Sequence, residues 1–116
     1  MAHDALGEGP VLRMFEVWAK PGCADILMEK FASTSAGVVQ GHPGNLGFVF
    51  GRDIKVDANY VMFVSVWQDV EAVKKRFGDD WQESFLPPGY EALIERHALR
   101  HVAVGEGSSL AAMDGA

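Results

Sequence analysis

Cysteine is almost absent from this sequence, with Cys23 the only one among 116 residues. No disulfide can form within the chain, and a lone thiol is typical of a reducing compartment. No apolar run is long enough to cross a bilayer. The opening MAHDALGEGP lacks the basic and apolar regions of a signal peptide. These absences predict a cytoplasmic protein that does not bind membranes.

Basic residues are also scarce, since 10 Lys and Arg stand against 16 Asp and Glu, for a formal net charge of −6. Such a charge argues against nucleic acid as a partner, because its phosphates attract a basic surface. A hydrophobic fraction of 48% indicates one folded domain at this length. We expect a flexible leader over 1–10, the domain over 11–104 and a flexible tail over 105–116.

Hydrophobic periodicity predicts four strands and two main helices. The strands are expected at 11–20, 46–52, 60–67 and 97–104. The first helix, within 23–39, has a stripe of Leu27, Phe31, Thr34 and Val38, and the second follows Trp67 with Val70, Val73 and Phe77 on one side. The order β-α-β-β-α-β is that of a ferredoxin-like α+β fold, an antiparallel sheet with helices on one face.

The segment between the second helix and the last strand has no long periodic pattern. GDDWQESF, residues 78–85, predicts a helical turn in which Asp80 and Glu83 form a capping box. LPPGY then predicts a bend, because neither proline can continue a helix. YEALIER, residues 90–96, predicts another short helix.

The two central strands of such a sheet are apolar on both sides. A strand with one solvent-exposed face alternates apolar and polar residues, and this alternation is absent from VLRMFEVWA and YVMFVSVW. Helices cover one face only, and exposing the other costs roughly 25 cal/mol per Å² of apolar surface. We therefore expect a homodimer in which two sheets pack face to face.

Several features together resemble the antibiotic biosynthesis monooxygenase family of dimeric α+β barrels. They are the PGNLG turn into the second strand, Trp67 at the end of the third, the polar QDVEA after it, and then Phe77. The resemblance covers about residues 11–104. It implies a pocket between sheet and helices, lined by Phe63, Ser65 and Trp67.

The family includes cofactor-free oxygenases of aromatic polyketides, quinol oxygenases, haem-degrading enzymes and proteins without known activity. The polyketide branch has an asparagine at the position of Phe63. The haem-degrading branch has an asparagine near Phe15 and a histidine within 80–86, a segment that has no histidine here. These departures weaken both assignments, that of haem degradation most.

The candidate catalytic residues are Trp67, to which the resemblance gives the role of a pocket wall, and His97, the candidate base within ERHALRH. The ordinary alternatives are a core aromatic for Trp67 and a solvated or interface-facing basic stripe for the histidine and arginines of ERHALRH. The predicted substrate-binding residues are Phe15, Phe63, Ser65, Phe77, Trp81 and Arg100. For Phe77 and Trp81 the alternative is ordinary packing, and Arg96 or Arg100 is considered for an anionic substrate group.

His97 and His101 lie four residues apart, a spacing that on a helix allows both to bind zinc. On a strand, four residues span roughly 13 Å, which is too far for one metal. HVAV favours a strand, so no metal site is expected.

The resemblance implies a small dimeric monooxygenase-like protein that uses no cofactor. Its expected substrate is a small aromatic or apolar molecule, such as a phenol or quinol, held in the Trp-lined pocket while it reacts with oxygen. The first alternative is a non-catalytic ligand-binding or stress-associated barrel with the same pocket. Haem degradation is the third hypothesis.

Overall fold

Four antiparallel strands form one layer of the molecule. The computed structural model describes residues 9–109, so most of the predicted leader and part of the predicted tail lie outside the described residues. The strands are β1 Val11–Ala19, β2 Asn45–Arg52, β3 Tyr60–Trp67 and β4 Ile94–Ala103. Their spatial order is β2-β3-β1-β4, with every neighbouring pair antiparallel. This order confirms the predicted ferredoxin-like fold.

The first helical region has three parts. α1 Ala24–Lys30 leads into a π-helical segment, Phe31–Ser35, and then into α2 Ala36–Val39. Ser35, four residues after Phe31 and eight after Leu27, is buried at 8% exposure, and Thr34 is exposed. The predicted place of Thr34 on the stripe with Leu27 and Phe31 is wrong, because Ser35 continues that buried face.

The second helix, α3 Val70–Phe77, follows directly from β3. Asp69 is its N-cap, and the carboxylate accepts a hydrogen bond from the Ala72 backbone N–H at 2.9 Å. The helix ends at Gly78, whose φ of 76° is easy only for glycine. No helix within residues 9–109 is long and apolar enough to cross a membrane.

The segment between α3 and β4 is less helical than the sequence predicts. A 3₁₀ turn covers Gly78–Asp80 only, with no side-chain cap, and a second covers Glu91–Leu93. The predicted helix over 90–96 is wrong because β4 already begins at Ile94, which pairs with Ala19 of β1. Edge pairing with β1 outweighs the local helical preference of this stretch.

The two faces of the sheet have different surroundings. The inner face, which carries alternate β1 residues such as Phe15 and Val17, packs against the helices and holds the core. The outer face carries Met14 and Trp18 of β1 and Met62 and Val64 of β3. As the sequence indicates, this second face is largely apolar.

Candidate functional site

A small cavity lies between the inner face of the sheet and the helices. Its volume is about 40 Å³, enough for roughly three water molecules. It is lined by Arg13, Phe15, Ser35, Val38, Val39, Phe63, Ser65, Phe77, Phe85, Pro87 and Leu99. Most of this wall is aromatic or aliphatic, with a few polar groups, as in many small-molecule sites.

Strand pairing brings the sheet side of this wall together. Phe15 of β1 lies opposite Phe63 of β3 and Leu99 of β4. Two residues earlier on β1, Arg13 lies opposite Ser65 on the same face. Directly opposed side chains on one face of a sheet are in contact range. The register therefore sets an apolar row beside a polar row.

Arg13 is the most unusual group on the wall, since its side chain is charged and the residue is only 5% exposed. Its Nη1 donates to the Trp81 carbonyl oxygen at 2.5 Å and lies 3.1 Å from His101 Nε2. Its Nη2 donates to the Glu83 carbonyl oxygen at 3.2 Å. The guanidinium carbon also lies 3.7 Å from the centre of the Phe77 ring, a close cation–π contact.

The charge of Arg13 has no carboxylate partner within residues 9–109. The ion pairs there join Arg52 to Asp25 and Lys74 to Glu71. Burial, and then repulsion from Arg76, lower the pKa of Arg13 to about 10. The guanidinium therefore remains protonated at neutral pH, and it lines the cavity as an uncompensated cation.

His101 contacts this cation and is a poor base. Burial, and then the charge of Arg13, lower the pKa of His101 to about 4. At neutral pH the imidazole is uncharged, so Nε2 accepts the hydrogen bond from Arg13. The Trp81 and His101 rings form a T-shaped pair, with centroids 5.0 Å apart.

The π-helical segment supplies the polar group on the helix side. Ser35 Oγ lies 2.6 Å from the Tyr90 hydroxyl, which donates to the Lys30 carbonyl oxygen at 3.1 Å. Tyr90 is fully buried, and burial raises the pKa of its phenol. Tyr90 thus satisfies a carbonyl next to the π turn and fixes Ser35 at the cavity wall.

Trp67 lies behind the cavity and does not line it. The residue is fully buried, and its indole Nε1 donates to Ser65 Oγ at 2.9 Å. Its ring meets the edge of Phe77 at a centroid distance of 6.0 Å. Trp67 therefore positions two residues of the wall, Ser65 and Phe77.

The outer side of the cavity is formed by the segment after α3. Phe85 and Pro87 belong to this segment and line the cavity. Phe85 is 47% exposed, and its ring lies 6.2 Å from that of Phe77. An aromatic ligand needs more than 40 Å³, so part of the wall has to move outward for one to fit, and Phe85 is the most exposed aromatic residue of that wall.

The sequence profile of the antibiotic biosynthesis monooxygenase family matches residues 10–85. This range covers β1 to β3, α3 and most of the cavity wall. The chain belongs to this family. Among curated protein sequences, none matches the chain.

Several solved structures have a fold similar to that of this antibiotic biosynthesis monooxygenase family member. A Shewanella oneidensis protein has a TM-score of 0.67 at 14% identity, covering 84% of this chain and 92% of its own. A Pseudomonas aeruginosa protein has a TM-score of 0.65 at 20% identity, covering 84% and 96%. A haem-degrading protein of Mycobacterium tuberculosis has a TM-score of 0.61 at 22% identity, covering 86% and 99%. At these identities the likeness concerns the fold.

The structure brings half of the predicted site residues together at the cavity. Four of them line it, namely Phe15, Phe63, Ser65 and Phe77. Trp81 contributes its carbonyl oxygen to Arg13, while its ring packs on His101. Arg100 pairs with Met14 and so lies on the outer face, away from the cavity.

His97 lies on the inner face of β4, two residues from Leu99. The ring is exposed, its Nδ1 is 2.9 Å from Ser84 Oγ, and its centroid is 6.2 Å from that of Phe15. Within residues 9–109, no cluster of His, Cys, Asp or Glu is arranged to hold a metal ion.

Sequence reasoning missed Arg13 and Ser35. The signal for Arg13 was present, because an arginine inside the apolar stretch VLRMFEVWA falls on the same strand face as Phe15. Ser35 also had a signal, because it lies four residues after Phe31 and eight after Leu27, the spacing of one helix face.

Proposed function

We propose that this family member binds a small aromatic molecule in the cavity and oxygenates it without a cofactor. The observation that carries the proposal is the combination of an aromatic wall with one buried cation, Arg13, at its polar end. Phe15, Phe63 and Phe77 supply apolar contacts for a ring. Such a wall also excludes water, which favours reaction over solvation of the bound molecule.

The reaction uses electrons from the substrate. A phenol held in the cavity loses its proton, and the electron-rich ring carbon forms a bond to dioxygen. Loss of water from the resulting hydroperoxide gives a quinone, so one oxygen atom becomes the new carbonyl and the other leaves as water. The two hydrogens in that water come from the phenol. The chain's own residues contribute binding, orientation and proton acceptance.

His97 is the proposed proton acceptor. It stands at the cavity's edge beside Phe15, and its partner Ser84 directly precedes Phe85 of the cavity wall. His101 is unsuited to the task because its accepting nitrogen already contacts Arg13. In this proposal Trp67 acts through Ser65 and Phe77 and does not touch the substrate.

One experiment tests oxygenation directly. Purified protein is given 1-naphthol and isotopically labelled dioxygen, and the product is analysed by mass spectrometry together with oxygen uptake. We expect a naphthoquinone carrying one labelled atom. The cavity-filling variant Leu99→Phe is the matched control, and it should lose turnover while remaining folded. A flavin or haem absorption band in the purified protein contradicts the cofactor-free reaction.

A non-catalytic ligand-binding role is the second candidate. It is supported by the polar residues of the wall, which are Arg13, Ser35 and Ser65 and include no group that accepts a proton at neutral pH. In that case 1-naphthol binds without oxygen uptake above the rate in buffer.

We also propose that two chains pair through their outer sheet faces. Two pairs of side chains on this face are already partnered, because Tyr60 donates to Glu16 at 2.7 Å and Arg96 stacks on Trp18 at 3.8 Å. Arg100, opposite Met14, adds one exposed charge to the same face. The remaining surface is apolar, and the nearby connection between β2 and β3 leaves Ile54 98% exposed. A second copy of the same face buries such a patch.

Charge substitution tests this pairing. Val49 on the outer face is 47% exposed, and Ile26 on α1 is 43% exposed, so the two make a matched pair. Light scattering should give the mass of two chains for the unmodified protein and for Ile26→Asp, and the mass of one chain for Val49→Asp. A single-chain mass for the unmodified protein contradicts the proposal.

A further inference from the structure

Arg13 is the only charged residue among the buried residues of 9–109. Charged side chains are almost never fully buried unless they are paired, because removing an ion from water costs several kcal/mol. The Phe77 ring compensates part of this cost. A buried cation on a cavity wall therefore needs a partner that offsets the rest of the cost.

The partners that Arg13 has are neutral. They are the carbonyl oxygens of Trp81 and Glu83 and the imidazole of His101. Glu83 offers its backbone and not its carboxylate, since no carboxylate within residues 9–109 lies within 4.0 Å of the guanidinium. The charge that acts on Arg13 is that of another cation, Arg76.

The guanidinium also has unused donors. It carries five N–H groups, of which three are directed at the carbonyls and the imidazole. The Nε–H and one Nη2–H have no acceptor within residues 9–109. Because Arg13 lines the cavity, a bound molecule can supply both the acceptor and the negative charge.

We propose that Arg13 makes the cavity selective for aromatic oxyanions, whose ionised oxygen accepts from the free N–H groups of the guanidinium. The ring then lies among Phe15, Phe63, Phe77 and Leu99. This inference rests on the cavity being the ligand site, as proposed above, and it names the class of ligand. Arg13 also favours ionisation of a bound phenol, because a nearby cation stabilises the phenolate.

A purely structural role for Arg13 is the alternative. The bonds to Trp81 and Glu83 hold the segment that closes the cavity, but carbonyl oxygens require only an N–H donor. The neutral side chain of Arg13→Gln offers an N–H donor without the charge. The two roles therefore predict different ligand preferences for this variant.

Two probes of one scaffold test the inference in the unmodified protein. 4-Nitrophenolate is anionic, and its methyl ether, 4-nitroanisole, is neutral at every pH. Isothermal titration calorimetry is carried out at a pH where the phenol is ionised. We expect the anion to bind roughly tenfold to a hundredfold more tightly, the range for a charge-assisted hydrogen bond.

Variants then assign the preference to Arg13. Arg13→Gln should bind both probes equally, and Lys75→Gln, which removes an exposed charge from α3, should keep the preference. Circular dichroism checks that both variants fold. If Arg13→Gln does not fold, the comparison of the two probes in the unmodified protein still tests whether the cavity prefers the anion.

The outcomes separate this inference from the proposed function. Equal binding of both probes to the unmodified protein overturns anion selectivity and leaves the cavity as a ligand site. A preference that persists in Arg13→Gln also overturns the inference. If neither probe binds, both the inference and the proposed ligand site fail.

Discussion

The guanidinium of Arg13 lies 3.7 Å from the centre of the Phe77 ring, with Arg13 buried at 5% exposure. Arg13 comes from the first strand and Phe77 from the last turn of α3. The contact joins sheet and helix at the polar end of the cavity. It also sets the electron-rich face of the ring against the buried charge.

Phe77→Leu should therefore lower the free energy of unfolding by about 2 kcal/mol, since it removes the cation–π contact and leaves space beside a buried charge. Urea denaturation followed by tryptophan fluorescence measures the change. Phe85→Leu is the matched control. Because Phe85 is 47% exposed, this variant should lose less than about 1 kcal/mol of its free energy of unfolding. Equal losses for both variants contradict the importance of the Arg13 contact.

His101 should make the protein less stable as the pH falls. Its pKa of about 4 in the folded chain lies below the ordinary 6.5, so the unfolded chain binds the proton more strongly. The contribution of the neutral imidazole is fully present above pH 6.5 and is lost progressively as the pH falls to about 4.

Denaturation midpoints across this pH range test the effect. His101→Gln keeps a hydrogen-bond acceptor for Arg13 without titrating, so the dependence on pH should become flatter. His97→Gln is the control, because that exposed ring contacts Ser84 and not Arg13. An unchanged slope in His101→Gln argues against the depressed pKa.

Trp67 and Ser65 should behave as a coupled pair. Trp67→Phe leaves the Ser65 hydroxyl buried without its donor, and Ser65→Ala leaves the indole N–H without its acceptor, each at about 1–3 kcal/mol. The double variant should lose less stability than the sum of the two single losses. A double-mutant cycle in urea measures this difference, and strict additivity contradicts the coupling.

Two glycines should respond to alanine in opposite directions. At Gly44, with φ +87°, an added Cβ falls 2.5 Å from the Cβ of Ala72, so Gly44→Ala should destabilise by more than about 1 kcal/mol. At Gly37, in α2, nothing lies within 4 Å, so Gly37→Ala should stabilise by about 0.5–1 kcal/mol. Thermal denaturation compares them, and a shift of the same sign for both contradicts the structural explanation.

The sequence was sufficient for the sheet and the family. Strand periodicity depends on side chains two residues apart, so β3 was predicted with its observed ends and β2 within one residue. The same periodicity placed Phe63, Ser65 and Trp67 on one face. The apolar outer face was also predicted, because it depends only on the residues along each single strand.

Tertiary structure decided the rest, since it depends on contacts between distant segments. β4 begins at Ile94 because β1 offers an edge there, and Ser35 is held at the cavity wall by a contact with the hydroxyl of Tyr90, 55 residues away in the sequence. The sequence set Arg13 among apolar residues, but only the packed structure shows that its neighbours there are neutral. Trp67, prominent in the sequence, lies one layer behind the cavity because Ser65 and Phe77 stand between them.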